Sequence, residues 1–203
     1  MNTIPVILPL NYRDSVVTII IVQKLQIPSI QKYNRKAQVP MTKEKGVKWK
    51  AFTTAFPYTI PIFTGFWFLG LTYGIYMNVS GFSFWYPMLM SITIFAGSIE
   101  FVTVNMLLGA FNPIQALTMT LMINARHLFY GISMLDRFKG TGWKKIYLIY
   151  GMCDESFSIN YTADIPKDVD QGWFMFFVTF LNHMYWFTGA TLGGIFGSLI
   201  HFN

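Results

Sequence analysis

The stretch from Tyr58 to Met77, YTIPIFTGFWFLGLTYGIYM, runs for twenty residues without a single charge. A helix needs about 20 consecutive apolar residues to cross the hydrocarbon core of a bilayer. In that environment every backbone N–H and C=O must be bonded internally, which leaves helices and closed barrels as the only spanning structures. Further apolar segments follow at 84–110, 113–135, 146–160 and 172–200. Only 12% of the residues are charged, about half the share found in soluble domains. The sequence therefore predicts an all-α, polytopic integral membrane protein with about five apolar segments. Gly70 and Gly74 in the first segment, and Gly189, Gly193 and Gly197 in the last, recur every four residues. That spacing marks faces for close helix packing. Pro57 and Pro61 are expected at the start of the first span, where an absent N–H leaves no bond unmade.

The charges are unevenly placed. Nine of the fifteen Lys and Arg lie in residues 1–50. This is a basic tail on an apolar chain, so nucleic-acid binding is a poor explanation and a cytoplasmic flank under the positive-inside rule a better one. Residues 1–50 are read as a basic N-terminal tail, of which 1–40 is an extension without a fold of its own or not native; Met41 looks like a natural start. Residues 51–203 form the transmembrane domain. The lone Cys153 excludes an internal disulfide and a thiolate zinc site.

Topology poses a parity problem. The tail and the basic loop at 136–145 are both expected on the cytoplasmic side, yet three full spans between them would be an odd number. A broken or re-entrant helix pair in 84–110, turning at Ala96-Gly97-Ser98, removes the conflict, because irregular backbone is tolerated at membrane depth where it lines a cavity. The acidic loop at 161–171 is then expected on the opposite side.

Arg126 and His127 lie side by side within NARHLFYG (124–131), inside an apolar segment. An arginine at the centre of a membrane helix costs about 2.5–3.5 kcal/mol on insertion scales, so it is expected to face the interior with a partner. Glu100, Asp154 and Glu155 are the candidate acids. Asn182 and His183 read as hydrogen-bonded core residues. No spacing suggests a metal site, a cofactor or a nucleophile–base pair, so no enzyme is expected.

FAGSIEF (95–101), NARHLFYG (124–131) and CDESF (153–157), in this order, resemble the AzlC family of branched-chain amino-acid exporters, over about residues 48–200. The resemblance implies export of leucine, isoleucine, valine and similar amino acids across the cell membrane. It also implies a small AzlD-type membrane subunit as partner. Gly97, Ser98, Asn124, Arg126, His127, Tyr130, Asp154 and Glu155 fall on family motif positions. On this reading Arg126 takes the substrate carboxylate, Asp154 or Glu155 the ammonium, and the surroundings of Gly97-Ser98 the apolar side chain. Asn124 and Tyr130 complete the substrate-binding set, and Glu100 or His127 carries a coupled proton. The family usually has Gln in place of Glu100, and its members usually continue through further apolar segments. The alternative expectation is a truncated membrane fragment or assembly subunit that transports nothing.

Overall fold

A computed structural model describes residues 44–110 and 112–199; the expectation for the tail at 1–40 lies outside them. The described residues form eight helices: α1 Glu44–Val79, α2 Trp85–Thr93, α3 Gly97–Leu108, α4 Pro113–Asn124, α5 Arg126–Met134, α6 Lys144–Tyr150, α7 Asp154–Thr162 and α8 Gln171–Leu199. Each apolar segment read from the sequence is helical.

The frame is the pair α1 and α8, which run in the same direction. Lys48 stands 4.8 Å over the Trp173 ring at one end, Thr59 Oγ1 bonds Tyr185 Oη at 3.1 Å further along, and Gly197 lies against Asn78 at the other end. The two glycine faces meet each other. A Cβ on Gly189 would sit 2.7 Å from the Trp67 carbonyl oxygen, and one on Gly74 or Gly193 would collide with the opposing backbone. Pro57 and Pro61 lie inside α1 rather than at its start. The helix continues back to Glu44, reaching about 54 Å at 1.5 Å per residue, so its basic first turns project well past the apolar stretch.

Two helical hairpins fill the space beside this pair. In the first, Phe84 and Pro87 lie beside Gly194, and Ser91 reaches His183, so α2 runs inward from the far end. The chain breaks at Ile94–Ala96, where Phe95 adopts φ 44°, and α3 returns: Glu100 meets Trp186 and Asn105 meets Tyr76. The second hairpin enters from the basic end. Trp143 packs on Trp173, Tyr147 reaches His183, the chain breaks at Gly151–Cys153, and α7 returns past Asn182 and Thr179. Between the hairpins, α4 and α5 lead back to the basic end, where Met134 and Phe138 share a core with Ala51, Ala55, Phe174 and Val178.

The second hairpin overturns one expectation. The segment 146–160 does not cross to the opposite side; it turns back at Gly151–Cys153. The acidic loop therefore lies at the basic end, where Lys50 pairs with Asp168 and Lys144 stands 4.6 Å over Trp173. The attraction of an acidic loop to a basic flank favours this arrangement. The Lys50 ammonium holds the Asp168 carboxyl below its usual range. Its bonded form is thus present at neutral pH, above the unfolded value, and is lost as pH falls through the folded value.

The glycine packing and the Lys50–Asp168 pair each set expected outcomes. Gly74→Val or Gly193→Val forces the backbones apart and destabilises the detergent-solubilised protein by at least about 1–3 kcal/mol. Gly131→Ala, which meets nothing within 4 Å, leaves the melting temperature unchanged or raises it. Cysteines at Lys50 and Asp168, in a Cys153→Ser background, are joined by a short bis-maleimide cross-linker, whose reach replaces the length of the lysine side chain. The wild-type contact they replace loosens in acid and in high salt, as an exposed pair should.

Candidate functional site

Ala125, which keeps right-handed helical dihedrals, joins α4 to α5 and places Arg126 at the start of α5, and the break at Gly151–Cys153 places Asp154 at the start of α7. The two side chains meet: Arg126 Nη1 donates to Asp154 Oδ2 at 2.5 Å. The pair is only half-buried, with side-chain exposures of 44% and 38%. The other oxygen, Asp154 Oδ1, is buried and has no partner among the described residues. Asp154 also stands where the partial positive charge of a helix N-terminus favours a carboxylate. Glu155 follows it, turned about 100° around the helix, and Arg126 meets Asp154 rather than Glu155. Tyr130, one turn beyond Arg126, stacks on Phe157 with ring centroids 4.3 Å apart. It forms an aromatic floor beside the ion pair.

The remaining sequence candidates divide. His127 Nδ1 bonds the Asn124 carbonyl at 3.2 Å, and its ring packs edge-on against Tyr130; both stay near Arg126. Gly97 and Ser98 belong to the other hairpin. Gly97 lies against the Trp186 ring, where a Cβ would come within 3.0 Å, and Ser98 is exposed. Among the described residues no hydrogen bond or ion pair joins either to Arg126 or Asp154. Glu100 is fully buried and capped from two sides: the Ala96 N–H donates to Oε1 at 3.0 Å, and Trp186 Nε1 donates to both carboxyl oxygens at 3.1 Å. It therefore ties the start of α3 to α8.

The residue that sequence reasoning undervalued is His183. It is a hydrogen-bonded core residue, as expected, but its bonds reach both hairpins: Nε2 to the Ser91 carbonyl at 3.1 Å and Nδ1 to Tyr147 Oη at 3.0 Å. Its partners lie 92 and 36 positions away, beyond any local motif. The Asn182 of the same helix turn donates to Ser156 Oγ on α7 at 3.1 Å.

Glycine-seamed long helices and two broken-helix hairpins define, among the described residues, an all-helical protein with the apolar character of a membrane protein. The comparisons narrow this class. The family described as AzlC protein matches residues 61–200. The branched-chain amino acid transport protein AzlC of Bacillus subtilis (strain 168) is 63% identical over 180 residues, 88% of this chain and 67% of the relative. An uncharacterized membrane protein of Haemophilus influenzae is 50% identical over 155 residues, covering 76% of this chain and 64% of the relative. Another of Helicobacter pylori (strain J99) is 38% identical over 154 residues, covering 76% and 68%. The chain thus spans about two thirds of the length of these relatives. No solved structure matches. The chain belongs to the AzlC family.

The double bonding of Glu100 sets an expectation. Glu100→Gln keeps an acceptor for Ala96 and Trp186 and changes stability by less than about 1 kcal/mol, whereas Glu100→Ala leaves both donors unmet and costs about 1–3 kcal/mol. Thermal unfolding of the two variants in detergent checks the difference.

Proposed function

We propose that this chain is the large subunit of an exporter of branched-chain amino acids, inserted in the cell membrane through several crossings. Its basic end, and so its N-terminus, faces the cytoplasm. Membership of the AzlC family supports the reading, as does the name of the Bacillus subtilis relative. Multiple crossings are supported by the apolar residues turned outward on α4 and α5, such as Ile114, Met122, Leu128 and Phe129, each at least 70% exposed. Exposed apolar surface of this extent suits lipid or a membrane partner. By length and composition, α1 alone among the described helices qualifies as a spanning helix. The shorter helices on this reading cross in pairs or re-enter. The transmembrane domain takes in residues 51–203, and a small AzlD-type subunit packs beside it. The protein transports rather than catalyses.

The observation that carries the proposal is the Arg126–Asp154 pair. A zwitterionic amino acid presents the same two charges in exchangeable form. Its carboxylate replaces Asp154 on Arg126 while its ammonium replaces Arg126 on Asp154. Neither protein charge is left unpaired, so substrate entry avoids the penalty of a buried lone ion. The unpartnered Asp154 Oδ1 supplies a further acceptor for the ammonium. Glu155 and Asn124 add polar groups nearby, and Tyr130 on Phe157 gives an apolar surface for a branched side chain. Gly97 and Ser98, at the start of the opposite half-helix, supply the part of the site reached when the hairpins rearrange. Transport is coupled to protons, carried by Glu100 or His127.

The test is export of leucine or valine from loaded cells co-expressing the small subunit. Arg126→Lys keeps the charge but loses the planar guanidinium. It should lower export by roughly tenfold or more, about 1.4 kcal/mol of recognition, while the protein still accumulates in the membrane. Near-normal export by both Arg126→Lys and Arg126→Met would remove the substrate role of this residue.

A further inference from the structure

We infer that His183 is a proton-binding site whose occupancy governs contact between the two hairpin tips. The imidazole is buried, 6% exposed, at the level where the hairpins meet. Its ring stacks on Phe95 at the tip of the first hairpin, with centroids 4.3 Å apart. A carbonyl oxygen can only accept, so Nε2 carries the hydrogen shared with Ser91. In the neutral ring Nδ1 is then the acceptor, and Tyr147 of the second hairpin donates to it. One side chain on α8 thus joins α2, the first tip and α6 through two bonds and a stacked ring. Tyr150 adds a direct link between the hairpins by donating to the Ile92 carbonyl.

The chemistry of protonation acts on one of these bonds alone. A proton at Nδ1 converts the acceptor into a donor, so the contact with Tyr147 persists only if the phenolic oxygen accepts. Tyr147 must turn its hydrogen away from the ring, where no other acceptor for it is recorded among the described residues, or move apart. The Nε2 bond to Ser91 persists in either state. Protonation therefore leaves the bond to the first hairpin unchanged and loosens the tip of the second, whose returning helix stays tied to α8 through Ser156 and Asn160. The ionisable groups turned toward this region are Tyr147 and Tyr150 of α6, Cys153 at the second tip, packed against the buried cluster that includes Phe95 and Trp186, and Glu100 of α3, held through Trp186 one turn along α8. Tyr73 of α1 stacks on that same Trp186. Arg126 and Asp154, at the start of the returning helix α7, are paired with each other. The second tip also carries Asp154 at its end, so its release moves one half of the ion pair. The inference takes from the proposed function only that the hairpins move; it holds whichever solute passes.

The experiment is amide hydrogen exchange of the full chain in lipid nanodiscs at about pH 7.5 and about pH 4.5, a window that reaches below the range of an exposed histidine because a buried cation is costly, after correction for intrinsic rates. In the wild type, peptides over 149–155 should exchange roughly tenfold faster at the lower pH, with a smaller change over 90–97. His183→Gln offers a donor to Ser91 and an acceptor to Tyr147 without titrating, and should hold the second tip closed at both pH values. Tyr147→Phe should leave it open at both. Equal wild-type exchange at the two pH values, or a wild-type pH response retained by His183→Gln, would overturn the proposal. If His183→Gln does not accumulate, wild type and Tyr147→Phe decide between them, because a pH response surviving in Tyr147→Phe is equally fatal. No substrate is present, so failure to export leucine leaves the result intact and counts against the exporter reading only.

Discussion

The contact between α1 and α8 sets the terms for everything else. In lipid, apolar side chains gain little by leaving their surroundings, so helices associate through close packing and polar contacts. Gly70 and Gly74 on one side and Gly189, Gly193 and Gly197 on the other remove the side chains that would hold the backbones apart. Because the two helices run in the same direction, the chain between them must return once. The α4–α5 segment makes that return. The other two segments are left to fold as hairpins, each resting on the shared surface of α8.

Both hairpins pause before their returning helix, and each uses the pause differently. At the start of α3, Glu100 is consumed by its own helix end and by Trp186. At the start of α7, Asp154 has one oxygen on Arg126 and one unpartnered. Two carboxylates at corresponding places thus have distinct tasks. The first fixes a helix to the frame, and the second remains exchangeable. Phe95 adds a local strain, since a non-glycine residue at positive φ costs about 1–3 kcal/mol, maintained at the tip by its stacking on His183.

Much of this was legible in the sequence. The period of four in the glycines announced the packing faces, although not that they would face each other. Ala96-Gly97-Ser98 announced the first break, because glycine and serine within an apolar run weaken a helix without polar context to explain them. The energetic penalty of Arg126 demands an acidic partner, and Asp154 is one of the three acids that the apolar segments offer. The second break was not legible. Gly151-Met152-Cys153 sits in a run that is apolar throughout, and nothing local distinguishes turning back from crossing. The position of the acidic loop was lost with it. The role of His183 depended on residues from two distant segments, and no periodicity encodes such a meeting. The prolines misled in a smaller way: a helix packed along its length tolerates them, so α1 begins well before them.

The two hairpins repeat one pattern end for end. Tyr76 of α1 stacks on Phe101 of α3 with an interplanar angle of 19°, and Tyr130 of α5 stacks on Phe157 of α7 at 14°. Just before each phenylalanine, a residue accepts a hydrogen bond from α8: Glu100 from Trp186 and Ser156 from Asn182. Each returning helix is thus held twice, by an aromatic stack on a neighbouring helix and by a hydrogen bond from α8, so the loss of either contact alone leaves its start tethered by the other.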